Sequence, residues 1–108
     1  MVATGRRIAA ALVCALPAFA SAGEPGANRE DELVHLLKHD CGSCHGLTMK
    51  GGLGPPLLPA ALAGKDDALL IETILEGRPG TPMPPWRSQL SPAEAAWLVQ
   101  ALRAGPPQ

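Results

Sequence analysis

Apolar residues recur at helical spacing in three stretches of the chain. In residues 29–40, Leu33, Leu36 and Leu37 fall at i, i+3 and i+4 and predict one apolar stripe along a helix. Asn28 suits the N-cap, and Glu30, Asp31 and Glu32 suit the positive end of the dipole. Residues 66–76 predict a second helix. Leu69, Leu70, Thr73 and Ile74 form its buried side, and Gly77 stops it. Residues 91–103 predict a third. Ser91 is its N-cap, Pro92 takes the first helical position, and Glu94 completes a capping box. Gly105-Pro106-Pro107 ends it. No run alternates as a strand would and no internal repeat occurs, so the fold class expected is all-α.

The first residues carry a different pattern. Arg6 and Arg7 precede an uncharged apolar run from Ile8 to Phe19, and small residues follow through Gly23. This predicts a secretory signal peptide over residues 1–22, cleaved after Ala22 or, alternatively, after Ala20. The run is shorter than the roughly 20 apolar residues that span a bilayer. That argues against a retained anchor, so no stable membrane insertion is expected. Cys14 would leave with the leader; Ala11-Leu12-Val13 is a poor match to a lipoprotein site. The residues flanking Arg6-Arg7 do not support twin-arginine export.

Removing the leader changes the arithmetic. Of nine Lys/Arg, seven remain against all ten Asp/Glu, a side-chain sum of −3. That excludes a generally basic nucleic-acid binder. Phe19 is lost and Tyr is absent, which leaves Trp86 and Trp97 as the aromatics of residues 23–108. Two cysteines remain, Cys41 and Cys44, too few to staple a small exported fold with disulfides. Something else must fill and hold this core.

Between the expected helices lie two stretches that forbid regular structure. Six of residues 51–59 are Gly or Pro, and so are six of residues 77–85. Loops of this kind inside a short chain, between capped helices, suit the wrapping of a ligand.

Cys41-Gly42-Ser43-Cys44-His45 supplies the chemistry. C-x-x-C-H is the attachment signal of c-type haem. Two thiols three positions apart reach the two vinyl groups of one haem, and the next residue turns its imidazole to the iron. A thioredoxin-like pair would need a βαβ pattern, and a zinc site would need a second Cys/His pair; neither is present. Export agrees with haem, which is attached outside the cytoplasm. A covalent macrocycle would also supply the missing aromatic core and the missing staple.

The second iron ligand must come from Met49, Met83, His35 or His39. Met49 is four residues past His45 and tethered to the same side of the ring. His35 and His39 share the helix entering the motif and suit a solvated surface, where their i, i+4 spacing could also bind an adventitious metal. Met83 stands in Thr-Pro-Met-Pro-Pro, 38 residues beyond His45. A loop already stiff loses less entropy when a weak thioether–iron bond forms, which selects Met83. His/Met ligation raises the reduction potential relative to more electron-donating pairs.

Together these residues resemble a class I cytochrome c over essentially all of residues 23–108: about three main helices, with Gly/Pro-rich loops wrapping one covalently bound haem c. In that family a G-P-x-L motif follows the attachment site. Carried onto Gly54-Pro55-Pro56-Leu57, the resemblance implies that the Pro55 carbonyl accepts from His45 Nδ1 and that Leu57 packs on the ring. The family's late aromatic-Leu pair is Ala101-Leu102 here, and Trp97 is expected to substitute against the N-terminal helix. The wording around Cys41–Leu57 and Gly77–Trp86 is similar to the cytochrome c-55X (NirC-type) subgroup, small periplasmic cytochromes associated with dissimilatory nitrite reductase and its haem d1. The resemblance implies a periplasmic one-electron carrier with no catalytic residues. It also implies an electron donor to cytochrome cd1 nitrite reductase in denitrification, or alternatively a helper of a haem d1 maturation enzyme. An open-site haem sensor or enzyme is the rival class. Gly42, Ser43, Pro84 and Pro85 are expected at the docking surface beside the haem edge, with acidic charge steering a basic partner.

Overall fold

A computed structural model describes residue 15 and residues 23–107. The leader expected over residues 1–22 lies, apart from residue 15, outside the described residues.

The first helical path is longer than its apolar stripe suggests. Helix α1 covers Ala27–Leu36, a π-helical turn covers Leu37–Cys41, and α2 covers Gly42–His45. Gly26 occupies the N-cap with an extended backbone, and no side chain caps the helix. Ala27 is a strong helix former and carries the helix back past Asn28, which therefore lies inside it. At the other end nothing stops the helix at Asp40. The wide turn absorbs one extra residue, with the Gly42 N–H donating to the Leu37 carbonyl, and the path continues through the C-x-x-C-H motif. The short α3, Pro59–Leu62, begins on its proline. Helices α4, Asp67–Glu76, and α5, Pro92–Ala104, match the second and third expectations closely. No strand occurs among the described residues, so the architecture is all-α.

Leu33 and Leu37 of the first path, Leu75 of α4, and Ala95, Leu98 and Leu102 of α5 belong to one buried cluster. The face of α4 expected to be buried is only partly so. Leu70, Thr73 and Ile74 are half-buried and Leu69 is exposed, while Leu75 takes the core position. The four residues line a cavity instead.

Polar ties hold the helices in register. Asp67 at the start of α4 accepts from Gln100 Nε2 at 2.8 Å and Arg103 Nε at 2.7 Å on α5. Arg103 also donates to the Leu62 carbonyl at the end of α3, 3.1 Å away. The capping box at Ser91 is complete, with Glu94 N–H on Ser91 Oγ at 3.1 Å and Ser91 N–H on Glu94 Oε1 at 2.9 Å. The other oxygen of Glu94 accepts from Arg29 of α1. One carboxylate thus caps α5 and ties it to α1. Trp97 is half-buried beside Glu24 and Pro25, just ahead of α1.

Arg29, and after it the Ser91 backbone, holds the Glu94 carboxyl below its ordinary value. A carboxylate lowered by folding contributes stability above its unfolded pKa and loses it as pH falls through the folded one. Glu94→Gln is expected to lower the urea midpoint at neutral pH, and the gap to the parent should close as the solution is acidified below the carboxylate range. Ser91→Ala, which removes only the cap, should cost about 1 kcal/mol in the same titration.

Candidate cofactor site

A cavity of about 860 Å³ opens between the C-terminal end of the first helical path, α4 and α5. Its walls are mainly aliphatic, among them Leu37, Leu57, Leu70 and Ile74, and Asp40, Lys65 and Arg78 are its charged members. Cys41, Cys44, His45, Pro55, Leu57 and Met83 all line it. Six residues singled out along 43 positions of sequence therefore meet at one place.

Helical geometry brings the first three together. Residues three apart share a helix face, so continuation of the helix through the motif turns both thiols to the same side. Both cysteines are free and half-buried. Burial, and secondarily the Asp40 charge, pushes the Cys41 thiol up to about 11. At neutral pH it stays protonated and is a poor thiolate nucleophile.

His45 ends α2, and the following loop folds back to grip it. Gly51 N–H donates to the His45 carbonyl and Gly54 N–H to the Cys44 carbonyl, each at 2.8 Å. These bonds satisfy carbonyls that a helix end leaves without partners. The ring is held as well, with Nδ1 2.7 Å from the Pro55 carbonyl oxygen. A carbonyl can only accept, so Nδ1 carries the proton, and the tautomer selected for the neutral ring is the one with its lone pair on Nε2. Gly54 lies flat against the ring: a Cβ there would sit 2.7 Å from His45 Cε1 and 2.8 Å from Nδ1. The loop's first glycine in the G-P-x-L stretch is thus required by close approach.

Met83 is half-buried in a loop tied to the end of α4. Arg78 N–H donates to the Met83 carbonyl at 3.2 Å, and Thr81 Oγ1 donates to the Arg78 carbonyl at 2.6 Å while accepting from Met83 N–H at 3.3 Å. Trp86 and Arg87 N–H groups reach back to the Ile74 and Leu75 carbonyls. Gly77 permits this return. Its φ is +68°, and a Cβ on it would fall 2.7 Å from the Met83 carbonyl oxygen. Thr81 and the backbone bonds of residues 86 and 87 were not foreseen from sequence. The signal available was Thr81 two residues before Met83, a spacing that suits a short hydroxyl-to-backbone turn.

The other candidate ligands lie elsewhere. Met49 is buried in the core cluster and does not line the cavity. Its φ of +60° is held by bonds from its N–H to Gly46 O and from Leu57 N–H to its own carbonyl, both 2.9 Å. His35 and His39 are exposed and also outside the cavity. Of the expected docking residues, Ser43, Pro84 and Pro85 are exposed, but Gly42 is buried. Leu47 covers it, since a Cβ on Gly42 would meet Leu47 Cα and Cδ2 at 3.4 Å.

The donor set fits a covalently attached haem: two free thiols on one helix face, an imidazole anchored through Nδ1, a thioether, and apolar walls for a flat macrocycle. Comparisons agree. Residues 28–100 match the family described as cytochrome c oxidase, cbb3-type, subunit III. The protein named cytochrome c55X from Pseudomonas aeruginosa is 52% identical over 98 residues, covering 91% of this chain and 82% of that protein. A solved structure of the c-type cytochrome NirC superposes with a TM-score of 0.73 at 56% identity, over 74% of this chain and 94% of that one. A third protein, the dihydro-heme d1 dehydrogenase of Pseudomonas aeruginosa, is 41% identical over 95% of this chain, which spans only 20% of its length.

Gly77→Ala and Gly64→Ala form a controlled pair for the Met83 loop. Both positions have positive φ, but only at Gly77 would the new Cβ meet backbone. Each should lose about 1–2 kcal/mol from the left-handed conformation. Gly77→Ala should lose measurably more in urea denaturation of the haem-loaded protein.

Proposed function

The chain belongs to the cytochrome c55X family of c-type cytochromes, which are electron-transfer proteins carrying covalently bound haem c, and on that footing we propose that it donates electrons in the periplasm to cytochrome cd1 nitrite reductase. The observation that carries the reading is the convergence of Cys41, Cys44, His45 and Met83 on one apolar cavity. Bound haem supplies a one-electron couple at its iron.

In this reading each residue has a limited task. Cys41 and Cys44 hold the group through thioethers. His45 ligates through Nε2, and the Pro55 carbonyl keeps its ring oriented and electron-rich. Met83 offers its thioether from a loop tied to α4, which disfavours an open iron and so the sensor or enzyme alternative. Leu57 and the α4 face exclude water. Exposed Pro84 and Pro85 beside Met83 suit close approach by a partner without tight binding.

A second reading is exchange of electrons with a haem d1 maturation enzyme. The likeness to one-fifth of the protein named dihydro-heme d1 dehydrogenase supports it.

Protein matured with haem-attachment machinery should be heavier by one haem, and Cys41→Ala with Cys44→Ala should abolish covalent retention in mass spectrometry. Met83→Ala should shift ferric absorption from low spin toward high spin and lower the potential. Rapid, complete CO binding by the ferrous parent would favour an open site. Reduced protein mixed with d1-loaded nitrite reductase should be oxidised on nitrite addition, at a rate that falls as salt rises. Negligible oxidation, with a deletion strain whose reductase lacks haem d1, would favour the biosynthetic reading.

A further inference from the structure

Two imidazoles are left unused by the cavity. His35 stands in the last turn of α1 and His39 in the π-helical turn that follows, both exposed. Their ring centroids are 4.3 Å apart, with planes tilted by 50°. In an uninterrupted α-helix, residues four apart are offset by about 40° around the axis. The wide turn beginning at Leu37 underwinds the path and brings the two side chains closer to one line.

A metal ion bound by two imidazoles at about 2.0–2.1 Å per nitrogen needs those nitrogens about 3 Å apart. Rings already at 4.3 Å reach that separation by side-chain rotation alone, because both are exposed. The neighbouring charge favours a cation. Asp31 and Glu32 lie one turn before His35 and Asp40 follows His39, against Lys38 and against Arg29, which pairs with Glu32 at 2.7 Å.

We propose that His35 and His39 form a two-imidazole surface site for a divalent late transition-metal ion. Imidazole ligands suit copper and zinc, and the ordering of divalent ions predicts Cu²⁺ above Zn²⁺. No group of three or more His, Cys, Asp or Glu donors suited to a metal occurs among the described residues. Water therefore completes the coordination, and the ion stays exchangeable and open to a small ligand. The second imidazole binds as an intramolecular partner, at the high effective concentration that a shared helix provides.

The test uses the haem-loaded ferric protein. Equilibrium dialysis against Cu²⁺ should show one saturable ion per chain, and Zn²⁺ should bind the same site more weakly. His35→Gln and His39→Gln should each weaken Cu²⁺ binding by about a hundredfold. Saturating Zn²⁺ should raise the melting temperature of the parent but of neither variant, since the ion bridges α1 and the wide turn. The haem absorption bands should not move. Binding that does not saturate, binding unchanged in either variant, or a haem band shift that titrates with the metal would each overturn the proposal. The haem spectrum of metal-free variants separately reports the ligation proposed above.

Discussion

An apolar hollow stands where a domain this small would keep its core. Its aliphatic walls stay in contact with solvent unless a large apolar group covers them. At roughly 25 cal/mol per Å² of apolar surface removed from water, such a group contributes stability that the bare chain lacks. The helices around it show the same dependence: α4 commits Leu70, Thr73 and Ile74 to the cavity wall and keeps Leu75 for contact with protein.

Around that hollow, backbone does most of the positioning. Carbonyls at the ends of α2 and α4 find their partners in backbone N–H groups, of Gly51 and Gly54 in the first Gly/Pro-rich loop and of Trp86 and Arg87 just past the second, not in side chains. Both loops need glycine where another backbone or ring comes too close for a Cβ: Gly52 against the Cys44 carbonyl and Gly54 under His45 in the first, Gly77 against Met83 in the second. The prolines lock the intervening chain. Helix ends, loops and ligand candidates thus form one connected unit.

Much of this was legible in the sequence because the informative signals are short. Cys41, Cys44 and His45 carry their chemistry in spacing alone. Ser91-Pro92-Glu94 specifies its own helix start, and the Gly/Pro windows exclude helix and strand. Other features depend on residues far apart. Arg29 meets Glu94 across 65 positions and Arg103 meets Asp67 across 36, and no local pattern forecasts such pairs. The α4 face misled for a different reason: apolar periodicity does not distinguish a side that meets protein from one that meets a cofactor. The helix start at Gly26 and its run through the attachment motif reflect the lack of a strong local signal: Ala27 favours helix ahead of Asn28, and nothing at Asp40 ends the path.

The tether of the Met83 loop has a kinetic consequence. Trp86 and Arg87 are bonded to the carbonyls of the last turn of α4, and Met83 itself is bonded through Arg78 just beyond it. Withdrawing this loop from the cavity wall requires these backbone bonds to break. A foreign small molecule competing for the space beside Met83 would consequently enter no faster than the loop detaches from α4, however favourable its final binding. The clock for entry is then set by this local opening, which a substitution at Glu76 or Arg87, joined by an ion pair across the same junction, would reset.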